Sequence, residues 1–273
     1  MQQSAIRAPV IAIIIMLVCT FFARAALEIE LAKRGFETSY AADLSLLVVP
    51  LILGVLMFPI LRSNWQPLMR LVSPQGINLR MILVAISLGL LARILSWSKL
   101  VFTVSTGLVS NSDPAAIVGP VFSWNCPPLQ VFLLGLVVWI VITPVIEEVV
   151  HRGLIQSSLM PRGRWIAILV SALIFAAFHP PDSIPFVFLF GIVFAVQFAN
   201  SQTLWTTIIS HATYDGLIQF DWRCLRGTWN PSIEDTPMIG TAAISAATLL
   251  LSAAAIVWLL KKTGARSSPQ SSH

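Results

Sequence analysis

Runs of apolar residues, separated by short polar breaks, follow one another along almost the whole chain. They fall at 8–22, 44–61, 81–102, 129–160, 165–179, 184–199, 204–220 and 238–260. Most approach the ~20 residues that a helix needs to traverse ~30 Å of hydrocarbon. The breaks are rich in turn formers: Pro161-Arg-Gly-Arg164 closes the fourth run, Pro180-Pro181 stops the fifth, and a Ser, Asn and Pro-rich stretch from Ser105 to Pro128 precedes the fourth. The pattern predicts an all-α, polytopic integral membrane protein, a bundle of about eight transmembrane helices forming one domain over 1–262, with a disordered polar tail at 263–273.

Individual runs carry further expectations. The first ends at Phe22-Ala-Arg-Ala-Ala26, which imitates a secretory cleavage site, but an uncleaved first span is expected. The fourth, at roughly 30 residues, is too long to stand perpendicular and should tilt, or kink at Pro144. Arg93 and Lys99 in the third should snorkel or face the bundle interior. Trp65, Trp124, Trp205 and Trp222 lie near run ends and read as an aromatic belt, with Trp222 and Trp229 as candidate lid residues.

Composition agrees with the membrane reading. Of the 273 residues 56% are hydrophobic and only 11% charged, against ~25% charged in soluble domains. The net charge of +5 comes from Lys and Arg scattered over short loops, which fits orientation in a bilayer and not a nucleic-acid partner. Arg7, Arg62, Arg70, Arg80, Arg162, Arg164, Lys261, Lys262 and Arg266 fall on one side; Arg24, Lys33, Arg34, Arg223 and Arg226 fall on the other. The more basic side predicts both termini in the cytoplasm, at the plasma (inner) membrane. Cys19, Cys126 and Cys224 have neither disulfide nor metal-ligand spacing and read as packing residues.

The fourth run is interrupted by chemistry: Glu147, Glu148 and Arg152 sit in Thr143-Pro-Val-Ile-Glu-Glu-Val-Val-His-Arg-Gly-Leu-Ile-Gln156. Such charges inside a bilayer must pair or do chemistry. One reading is a structural ion pair, Glu148 to Arg152 at i,i+4. Two later runs point to a site instead. Counted from the basic ends at 1.5 Å per residue, Glu147, His179 and Asp215 all lie about 18 to 22 Å deep, and His211 about 12 Å deep on the same helix face as Asp215. His151 reads as an i,i+4 partner of Glu147.

Amide hydrolysis needs a base for water, a group to orient that water and donors for the oxyanion. A carboxylate of the acidic pair supplies the base, His179 orients or shares the proton, and His211 donates. Asp215 either is protonated or holds the His211 tautomer. Helix geometry sets Glu147 and Glu148 about 100° apart and does not choose between them.

Glu147-Glu148-x-x-x-Arg152, Phe175-x-x-x-His179 and His211-x-x-x-Asp215, in this order on successive runs, resemble the motifs of the CAAX-protease and bacteriocin-processing family of intramembrane glutamic endopeptidases. The resemblance covers about 129–220. It implies that Glu147 and His179 activate the water, that His211 with residue 215 forms the oxyanion hole, and that Glu148 and Arg152 complete the first motif. The family often has Asn where Asp215 stands. The resemblance also implies eight helices around an intramembrane polar cavity, a membrane-anchored or lipidated protein or peptide as substrate, and no cofactor. Two alternatives remain: a zinc metallohydrolase using Glu147, His179 and His211, and a proton-relaying transporter or scaffold.

Overall fold

The computed structural model describes residues 6–106, 128–218 and 238–264. All regular structure there is helical. Helices α1 (Val10–Lys33) and α2 (Thr38–Leu56) form an antiparallel pair. Two short helices follow, α3 (Phe58–Ser63) and α4 (Trp65–Leu71), the first started by a proline in its opening turn. Then come α5 (Leu79–Ser105), a long helix α6 (Leu129–Arg162), α7 (Arg164–Ala177), α8 (Ile184–Ser201), α9 (Leu204–Ile218) and α10 (Met238–Gly264). Gly163, at φ 125, makes the turn between α6 and α7, a backbone angle that suits only glycine.

Helix α6 is not uniform. Its segments Val137–Ile142 and Val149–Gln156 have π-helical i→i+5 bonding, on either side of an α-helical stretch Thr143–Glu148 that begins with Pro144 in its first turn. Proline has no N–H for an α-helical bond. The expected break at Pro144 therefore takes the form of wide turns rather than a single bend.

The core joins Ile13 of α1, Met57 and Ile60 around α3, Leu68 of α4, Leu154 and Ile155 of α6 and Ala167 of α7. Helix α5 packs against α9 and α10, and α7 against α8. Small residues let backbones approach, as in other helix bundles in lipid. A Cβ on Gly89 would lie 2.5 Å from the Ser210 carbonyl oxygen and 2.7 Å from Thr213 Cβ. Gly89→Ala should therefore cost about 1 to 3 kcal/mol by overpacking. Gly54, with nothing within 4 Å, should tolerate alanine. Paired unfolding curves in detergent check the contrast.

Five helices among the described residues are long and apolar enough to cross a membrane. Eight were expected; α2, α7 and α9 fall short. The apolar part of α2 ends at Leu56, and α7 stops at Ala177, ahead of Pro180. Helix α9 has 15 residues within the described chain, about 22 Å of rise. Polar contacts gather many helix ends at one end of the bundle. The Arg7 amide donates to Asn64 Oδ1 (3.0 Å), the Ala8 amide to Ser158 Oγ (2.9 Å), Thr203 Oγ1 to the Leu71 carbonyl (3.1 Å) and Trp205 Nε1 to the Val72 carbonyl (2.7 Å).

Several expectations change in detail. Helix α1 runs unbroken through Phe22-Ala-Arg-Ala-Ala26 to Lys33, with Arg24 and Glu28 at ion-pair distance across one turn. Cys19 is exposed on α1 and is not a packing residue. Arg93 turns inward and donates to the Leu217 carbonyl (3.1 Å), while Lys99 lies over the Phe186 ring. Trp205 serves as a tie between α9 and the end of α4 as well as being partly exposed. Helix α5 continues through Ser105, into the expected linker, and α10 through Gly264, into the expected tail. Trp124, Trp222, Trp229, Cys126, Cys224 and nearly all of the tail lie outside the described residues.

Candidate active site

Three helices carry the expected residues: α6 supplies Glu147, Glu148 and Arg152, α7 leads into His179, and α9 supplies His211 and Asp215. The two glutamates differ sharply. Glu148 is fully buried and both of its oxygens are engaged. Oε2 lies 3.2 Å from Arg152 Nε, and Oε1 lies 3.1 Å from His211 Nδ1. The Thr207 hydroxyl sits against the same carboxylate. Glu147 keeps 28% of its side chain exposed and touches the cluster only at 3.7 Å, Oε2 to His211 Nε2. Removing two charges from water is costly unless they are paired and hydrogen-bonded. Glu148 and Arg152 are paired by charge at 3.2 Å, and their hydrogen bonds run outward, from Glu148 Oε1 to His211 and from Arg152 Nη1 to Ser171, so the structural ion pair and the candidate site are parts of one cluster.

Arg152, fully buried, extends to α7, where Nη1 donates to Ser171 Oγ (2.9 Å) and Ser171 Oγ donates to the His151 carbonyl (2.9 Å). Its guanidinium lies 5.2 Å above the Phe175 ring. Ser171→Ala would leave a buried guanidinium donor unmatched and should cost about 1 to 3 kcal/mol, read as a lower unfolding midpoint of the detergent-solubilised protein.

Asp215 Oδ2 lies 3.4 Å from His211 Nε2, across one turn of α9. This contact and the one from Glu147 are both longer than the 2.7–3.2 Å of a made N–H···O bond. A proton on Nε2 is therefore committed to neither carboxylate. His179 is held differently. Its Nδ1 is 3.0 Å from the Phe175 carbonyl, which only accepts, so Nδ1 carries the proton and Nε2 presents a lone pair. The bond also satisfies a carbonyl in the last turn of α7, which the helix itself leaves open.

Phe175 is the hub of the arrangement. Its ring centroid is 4.8 Å from that of His179, 5.2 Å from His151 and 5.8 Å from His211, and Phe194 stacks on His211 at 5.3 Å. The Phe175 ring, and no direct contact with Glu147, is what joins His179 to the cluster. His151 makes no bond to Glu147. It is buried with Nδ1 unpartnered, edge-on to Phe175. The i,i+4 pairing expected for it fails because the wide turns of α6 shift the register, which the long Arg152 side chain spans and a short imidazole does not.

Sequence reasoning missed Ser171, Thr207 and a tie between α2 and α6, in which Trp139 Nε1 donates to Asp43 Oδ1 (2.9 Å). The first two were within reach of helical spacing: Ser171 lies four residues before Phe175, and Thr207 four before His211. The Trp139 contact has no such signal.

Among the described residues no group of three or more His, Cys, Asp or Glu is arranged to hold a metal ion. His179 Nδ1 is taken by a carbonyl, and both His211 nitrogens face carboxylates. A cavity of about 350 Å³ lies elsewhere, lined by Arg80, Gln197, Asn200 and Lys262 among others.

Residues 129–217 match the family described as Type II CAAX prenyl endopeptidase Rce1-like. No curated protein and no solved structure matches the chain.

Proposed function

We propose, on the match of residues 129–217 to the Rce1-like family of type II CAAX prenyl endopeptidases, that the protein is an intramembrane glutamic endopeptidase that hydrolyses a membrane-anchored, prenylated protein or peptide. The five long apolar helices support an integral membrane protein, and the short α2, α7 and α9 complete an eight-helix bundle whose basic end, with both termini, faces the cytoplasm. The observation that carries the mechanism is the difference between the two glutamates. Glu148 is spent on Arg152 and His211, whereas Glu147 is partly exposed and unsatisfied.

Glu147 takes a proton from a water that His179 Nε2 orients by accepting its other hydrogen. The hydroxide oxygen bonds to the scissile carbonyl carbon, and the electron pair of the C=O bond moves onto its oxygen. His211 Nε2–H donates to that oxyanion, and Asp215 beside it holds the ring in place. As the C–N bond breaks, Glu147 returns its proton to the leaving nitrogen. The products are a carboxylate and an amine. No cofactor enters the scheme.

The test is cleavage of a peptide panel, farnesylated and unmodified, by the full chain in detergent, with and without chelator. Chelator-resistant cleavage confined to the farnesylated peptides is expected. Loss on chelation with recovery on added zinc would move the site to the metallohydrolase reading. Cleavage of neither by folded protein would favour the transporter or scaffold reading.

A further inference from the structure

The cavity has a lining separate from the acidic pair, which it approaches only through Thr206, the neighbour of Thr207. It lies where the first turn of α5, the end of α8, the start of α9 and the last turn of α10 meet. Two cations line it, Arg80 and Lys262, and no carboxylate does. Neither cation is within ion-pair distance of an acidic side chain among the described residues. The Lys262 ammonium rests 4.5 Å over the Trp258 ring, which is exposed on the outer face of α10. This ammonium over an outward-facing indole is the arrangement of a side chain at the headgroup level of a bilayer.

The floor of the cavity is built. Asn200 accepts from Arg164 Nη2, at the start of α7, and donates to the Leu260 carbonyl (3.0 Å) and Thr263 Oγ1 (3.2 Å) of α10. Beneath it Gln197 is only 5% exposed. Its Nε2 donates to the Thr206 carbonyl (3.0 Å), and its Oε1, though buried, accepts from nothing among the described residues. A buried acceptor without a donor has lost its water with nothing in return, which points to a ligand that brings one.

We propose that this cavity binds a phosphate group at the membrane surface, the headgroup phosphate of a phospholipid, with Arg80 and Lys262 on its oxygens and Gln197 Oε1 accepting from a headgroup hydroxyl or ammonium. Free phosphate near neutral pH keeps a P–OH donor of its own, so the lipid is favoured by the apolar wall beside the two cations and not by Gln197. Met81 and Val84, on the same wall, continue the cavity along α5 with apolar surface that suits an acyl chain. Such a lipid clamps the start of α5 to the end of α10. The proposal uses the bilayer setting and does not depend on the peptidase chemistry.

The test is native mass spectrometry, with thermal unfolding in parallel, on the full chain in lipid-free detergent. The probes are short-chain phosphatidylglycerol, phosphatidylethanolamine and phosphatidylcholine, and inorganic phosphate. Phosphatidylglycerol and phosphatidylethanolamine should bind and raise the unfolding midpoint, and phosphatidylcholine, which has no headgroup donor, should bind about tenfold more weakly, the effect of leaving one buried acceptor unpaired. Arg80→Gln/Lys262→Gln should lose at least about tenfold for phosphatidylglycerol, whereas Arg62→Gln/Arg70→Gln, which removes two exposed cations outside the cavity, should bind as wild type. Equal affinity of the wild type and the Arg80/Lys262 variant overturns the site. Equal stabilisation by inorganic phosphate overturns the lipid as its source, and equal binding of phosphatidylcholine overturns the role of Gln197.

Discussion

Glu147→Gln is expected to lower the cleavage rate by about 10²- to 10⁴-fold, the contribution of one positioned general base, while the unfolding midpoint stays within the ~0.5 kcal/mol usual for substitutions away from packed features. Glutamine keeps the size and polarity of the side chain and removes only its basicity. Glu147 is 28% exposed and has one loose contact, to His211 at 3.7 Å, so nothing in the packing needs its charge. The measurement is steady-state cleavage of a farnesylated peptide beside an unfolding curve of the same preparation. Near wild-type turnover by Glu147→Gln would remove it as the base. A large loss of stability would mean that its charge helps hold the cluster together.

Glu148→Gln is the opposite case: stability should fall by about 3 to 5 kcal/mol, because a buried guanidinium loses its counter-ion. Both Glu148 and Arg152 have no exposed side-chain surface, and their atoms are 3.2 Å apart. Activity falls too, since Oε1 of Glu148 anchors His211 Nδ1, but a loss of activity alone does not mark Glu148 as the base. The diagnostic is the double variant Glu148→Leu/Arg152→Met. With both charges gone, most of the lost stability should return, whereas activity should not. If the single variant unfolds like wild type in detergent and denaturant titrations, the pair is not the buried strut that its geometry indicates.

The helical, membrane-spanning character was legible because charges are so scarce between the polar breaks that hydropathy alone divides the chain. Span lengths were less so. Residues 165–179 form an apolar run, yet α7 ends at Ala177 and His179 bonds back to Phe175. At the site, counting helical rise put Glu147, His179 and Asp215 at one level. The same count put His211 about 8 Å shallower than Glu147, yet the two are in contact. Rise along straight axes ignores helix tilt, the reach of the side chains and the wide turns of α6. The different settings of Glu147 and Glu148 were not readable from α6 at all. They come from His211, 63 residues on from Glu148, and from Ser171, which anchors Arg152 from α7.

The wide turns flanking Thr143–Glu148 have one more consequence. A π-helical turn holds one residue more than an α-helical turn, so the segment Val149–Gln156 stores chain that an ordinary helix would not need. Deleting one residue there lets the turn close to regular geometry with the helix beyond it nearly in place, but within the segment it turns side chains by up to about 100° around the axis. Arg152 or Gln156 would then leave the face that meets α7 and α8. Along this stretch the spacing between residues shapes the buried cluster as much as the identity of the side chains it aims.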